Sequence, residues 1–77
     1  MCLAVPARIL RLEAGDMALV DVGGVRKQVS VALVDGLVPD EYVIVHVGYA
    51  LARIDPAAAA ATLVAMAAAG INAGALV

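Results

Sequence analysis

Apolar and polar positions alternate with a period of two through most of this chain, which is the mark of half-buried β-strands. Over 7–12, Arg8 and Leu10 fall on one side and Ile9 and Arg11 on the other, so a strand is predicted there. Glu13-Ala14-Gly15-Asp16 supplies the turn. A second strand is predicted over 17–22, with Ala18, Val20 and Val22 on one face and Met17, Leu19 and Asp21 on the other. Gly23-Gly24 follows, a pair that accepts positive φ at both positions and so suits a tight hairpin. The next strand, 25–31, places Val25, Val29, Val31 and the stem of Lys27 on one face. Arg26, Gln28 and Ser30 take the other. The stretch 34–41 carries Asp35-Gly36 and Pro39-Asp40 and reads as loose turns. Alternation resumes over 42–47, with Val43, Val45 and Val47 opposed to Tyr42, Ile44 and His46. Gly48 marks a bend or bulge, and a fifth strand is predicted over 49–54.

The pattern changes at Asp55-Pro56. Asp is a good N-cap and Pro a good first helical residue, so a helix is predicted over 55–69, with Gly70 as its stop. Leu63 and Met66, three apart, give it one sticky face. The helix is otherwise rich in Ala, and a helix of that length is marginal in water without a surface to dock on. Five short strands with glycine turns predict a mainly β fold, a small OB-like five-stranded barrel followed by a C-terminal α-helix. The organisation expected is one domain over 1–77: a barrel with an N-terminal cysteine arm (1–54), the helix (55–69) and a loose tail (70–77).

Composition narrows the function. The chain has 77 residues, 65% of them hydrophobic, yet no Trp or Phe and two Tyr, so its core must be built from aliphatic side chains. The net charge of −2, with scattered basic residues, argues against a nucleic-acid partner. From Ala57 to Val77 there is no charged side chain. The stretch is mostly Ala, broken by Gly70, Asn72 and Gly74, with no flanking Lys or Arg and no aromatic belt, so it reads as a docked helix and not as a membrane anchor. Nothing at the N-terminus resembles a signal peptide, and one cysteine fits a reducing compartment; a cytoplasmic location is expected.

That cysteine is Cys2. Removal of the initiator Met would leave it N-terminal, where amine and thiolate can close a five-membered chelate on one metal, the thiolate being a soft ligand. Pro6 fixes its own φ and makes Val5 extended, so Cys2 stands on a short arm. The alternative is a small, buried hydrophobe, the usual state of a free cysteine. His46 likewise has two readings: a partly exposed strand-end residue, or part of an interaction surface with Gly48 and Tyr49. There is no CxxC pair, too few ligands for structural zinc, and no phosphate loop. A Cys2–His46 nucleophilic pair would lack an obvious orienting group and a pocket, so an enzyme is not expected.

Met1-Cys2-Leu3-Ala4-Val5-Pro6-Ala7-Arg8-Ile9 resembles the N-terminal signature of the HypC/HupF hydrogenase maturation chaperones, and Tyr42-Val43-Ile44-Val45-His46-Val47-Gly48-Tyr49-Ala50 resembles their second signature. The likeness runs through the Asp21-Val22-Gly23-Gly24 hairpin to about Asp55. It implies a role in building the iron site of [NiFe] hydrogenases. Cys2 would help hold an iron carrying cyanide and carbon monoxide, in complex with a HypD-type partner, and the chain would then associate with the hydrogenase large-subunit precursor. His46 maps onto the histidine of the second signature, and the resemblance implies a cofactor-binding role for it beside Cys2. Partner contacts are expected at Leu3, Ala4, Val5, Pro6, His46, Gly48 and Tyr49. Ala7 replaces a common Gly, and the uncharged helix departs from the family's usual mix of acidic and apolar residues. The other reading is a non-catalytic OB-type interaction module in which Cys2 is incidental.

Overall fold

The computed structural model describes residues 4–70. Strands β1 (Val5–Glu13), β2 (Met17–Val22), β3 (Val25–Ser30), β4 (Tyr42–His46) and β5 (Tyr49–Ile54) precede one helix, α1 (Pro56–Ala68). The strands close into a barrel in the order β1-β2-β3-β5-β4. All neighbours are antiparallel except β3 and β5, which run parallel. That last seam is narrow: Ser30 pairs with Tyr49, and the Ser30 N–H donates to the Gly48 carbonyl at 2.9 Å. A mainly β, five-stranded barrel with a C-terminal helix is therefore the fold.

The interior is aliphatic. Val5, Ala7, Ile9, Ala18, Val20, Val22, Val29, Val43, Val45 and Ala50 are buried, and no polar or charged residue among those described is. Short, mostly branched aliphatic side chains fill the lumen at close-packed density. Both tyrosines lie on strands outside it, Tyr42 partly buried and Tyr49 exposed.

The alternation fails where the strands depart from regularity. Ile9 pairs with Val20 and Arg11 with Leu19, so Leu10 is an extra residue in β1, and Arg11 does not share the buried face of Ile9. β5 carries a matching irregularity, Leu51 standing between Ala50 and Ala52 with no partner in β4. Bulges of this kind bend strands where a small sheet must close on itself. Val25, expected inside, is exposed at the hairpin tip. β3 ends at Ser30 and β4 at His46, each one residue earlier than the alternation suggests. β1 extends at both ends of the predicted span, and Gly23-Gly24 has positive φ at both positions.

The 31–41 connection is tied to the barrel by polar contacts. The Ile9 N–H donates to the Glu41 carbonyl, and the Asp40 N–H to the Ile9 carbonyl, each at 2.8 Å. Arg53 donates through Nε to Glu41 Oε2 at 2.8 Å and through Nη2 to the Asp35 carbonyl. Arg8 pairs with Asp40 at 2.9 Å. Leu37, held by this frame, is buried against the core cluster.

The Asp55 carboxylate caps α1, accepting from the Ala57 and Ala58 N–H groups. The helix ends at the Ala69 cap, followed by Gly70 at φ 77°. α1 packs against β1, with Ala59 buried and Leu63 and Met66 set partly buried against the core. Leu63 and Met66 form the predicted sticky face, and Ala59 extends it by one turn. The tail beyond Gly70 lies outside the described residues. No helix among those described is long and apolar enough to cross a membrane.

Candidate partner-facing end of the barrel

The two signature stretches are neighbours in space because β1 and β4 are. Val5 pairs with Val45 and Pro6 with Ile44. Ala4 therefore enters the barrel one position before the pair that His46 follows. Across the adjoining ladder His46 pairs with Tyr49. Val45 and Ala50 point into the lumen, so His46 and Tyr49 share the outer face. His46 is partly buried, and Ala4, Val47 and Tyr49 are exposed. One end of the barrel thus gathers the start of the described chain, the end of β4 and the start of β5.

Val47 and Gly48 form the turn, with φ values of 51° and 79°. Of the bend or bulge expected at Gly48, the structure shows the bend: it is the second turn residue. A Cβ there would meet nothing within 4 Å, so the glycine answers to backbone conformation and not to crowding. Val47, expected on the buried face of β4, lies in the turn with its side chain 71% exposed. No sequence signal short of the Val-Gly pair itself betrays that reversal.

Val5 and Pro6 are fully buried, which roots the chain just after Ala4 in the barrel wall. Cys2 and Leu3 lie outside the described residues. Among the described residues no three His, Cys, Asp or Glu side chains gather to hold a metal ion. A cleft of about 290 Å³ opens at the C-terminal end of β1, lined by Leu12, Glu13, Asp16, Met17 and Val31 among others, and His46 does not line it.

The fold and this end define a small closed barrel whose two signature stretches meet through the β1–β4 pairing. The comparisons with known proteins give its family. A family described as HupF/HypC matches residues 1–66, and the chain belongs to that family. It is 54% identical to the hydrogenase maturation factor HypC of Cupriavidus necator over 63 residues, covering 82% of this chain and 70% of that one. It is 52% identical to HypC of Rhizobium leguminosarum bv. viciae over 63 residues, covering 82% and 84%. The hydrogenase maturation factor HybG of Escherichia coli K12 is 38% identical over 69 residues, covering 82% and 84%.

Proposed function

We propose that this chain is a non-catalytic hydrogenase maturation chaperone acting in the cytoplasm. Its cargo is an iron carrying cyanide and carbon monoxide, and Cys2 is this chain's ligand to it. A HypD-type maturation protein shares the iron, and the large-subunit precursor of a [NiFe] hydrogenase receives it. The observation that carries the reading is the Val5–Val45 pairing, which sets the root of the Cys2 arm beside His46 at one end of the barrel.

The chemistry follows from that placement. Two peptide units separate Cys2 from Ala4, a chain span of at most roughly 7 Å between their Cα atoms, and the reading requires that the thiol act from that short tether. One thiolate, with or without the terminal amine, cannot complete a coordination shell. An incomplete shell suits a carrier, because a partner supplies the remaining ligands and can take the metal away. Val5 and Pro6, buried in the wall, serve the partner by fixing where the arm begins; Leu3, Ala4, His46, Gly48 and Tyr49 make the contact itself. The alternative, an interaction module with an incidental Cys2, uses the same rim without the thiol.

Complementation of a strain lacking its own HypC separates the two. Wild-type chain should restore hydrogenase activity, and Cys2→Ala should abolish it with the thermal melt unchanged. His46→Ala should lower activity and co-purification with the HypD-type partner more than it lowers the melt. A fully active Cys2→Ala strain would leave only the interaction module.

A further inference from the structure

The β4–β5 turn holds a residue that the turn itself disfavours. Val47 and Gly48 are its two central positions, both at positive φ. Such a turn is best made by Asn-Gly or Gly-Gly, and a β-branched residue in the left-handed region is a steric outlier. Burial does not compensate Val47, whose side chain is 71% exposed. The neighbouring outward side chains are apolar and exposed too, Tyr49 at 51% and Leu51 at 46%. From Tyr42 to Ala52 the hairpin carries no Asp, Glu, Lys or Arg. A tip of that composition is complementary to an uncharged apolar surface and to little else. Strained conformations that persist tend to lie at functional positions.

We infer that Val47 is an interface anchor: the turn projects its isopropyl group into an uncharged, apolar pocket of the HypD-type partner, at the expense of the free barrel's stability. The inference rests on the proposed function, which supplies that partner. The HypD-type protein is the occupant favoured because Val47 stands beside the root of the arm whose iron the two proteins share. Val47 and the thiol then engage one protein in a single docking event.

Strain and contact make opposite demands on this position, and two full-length variants separate them. Val47→Asn suits the turn and removes the apolar group; Val47→Ile keeps both the group and the strain. Val47→Asn should melt about 5 °C higher than wild type and co-purify at least tenfold less HypD-type partner. Val47→Ile should melt no higher and retain the partner. A Val47→Asn chain that binds the partner like wild type overturns the inference and leaves the proposed function standing. So does one that melts no higher than wild type, since the strain would be absent. Loss of the large-subunit precursor alone, with the HypD-type partner retained, overturns the choice of occupant. Failure of the functional reading shows elsewhere, as a wild-type chain that captures no HypD-type partner.

Discussion

Glu13 shows how single side chains fasten the ends of this barrel. Its carboxylate accepts from Gln28 Nε2 at 2.6 Å and from Arg11 Nε at 3.1 Å, joining the end of β1 to β3 across β2. The Gln28 hydrogen bond first, and the Arg11 contact second, hold its pKa below the usual glutamate value. A carboxyl lowered in the fold contributes stability above its unfolded-state pKa and loses it as pH falls through the folded value. Melts of wild type and Glu13→Gln should therefore differ slightly at neutral pH and converge in acid. Curves that stay parallel through the carboxylate range would show that the bonds do not favour the charged form. Arg53 acts similarly on the long connection, since Glu41 and the Asp35 carbonyl both answer to it. Neither partnership is visible in the sequence, where Arg11, Gln28 and Arg53 are only polar positions on strands. Val47 is less visible still: the alternation of Val43 and Val45 extends to it, and only backbone geometry reverses its side.

At the scale of elements, the period-two pattern located every strand because each has one face on an aliphatic lumen. It failed at Leu10, where an extra residue shifts the faces of β1, because hydrophobicity alone does not record a bulge. The helix was legible from its ends, Asp55-Pro56 and Gly70, and from the Leu63–Met66 pair. Ala59 was not, since an Ala that packs against the barrel looks like one that faces water. Docking by two partly buried side chains and one Ala makes α1 a weak unit. Fully burying a Leu or Met contributes only about 1.5–3 kcal/mol, and ordering the helix backbone offsets much of that. Backbone amides of α1 should exchange with deuterium well before those of Ala18, Val20 and Val29 in the barrel. Equal protection in α1 and the strands would make the helix part of one cooperative core.

The whole molecule joins two stretches that sequence alone leaves some forty positions apart. The resemblance named both, and the antiparallel β1–β4 pairing brings them together: Val5 and Pro6 lie against Val45 and Ile44 in one wall of one barrel. The remainder of the candidate site was out of reach of pattern reading, because which rim a turn faces depends on strand order and closure. The acidic net charge and the scarcity of aromatics argue against the stacking and backbone contacts by which OB-type barrels bind single strands, and an oligonucleotide titration at physiological salt should show no saturable, salt-sensitive binding. What the molecule offers is an aliphatic barrel whose β4–β5 hairpin, from Tyr42 to Ala52, carries no Asp, Glu, Lys or Arg.

The central claim is that Cys2 holds the iron with its partner. Mass spectrometry under native conditions, on the complex purified with the HypD-type protein, tests it most directly. The wild-type complex should carry the added mass of iron with cyanide and carbon monoxide, and the Cys2→Ala complex should lack it. A wild-type complex with no such mass, or a Cys2→Ala complex that retains it in full, would contradict the claim.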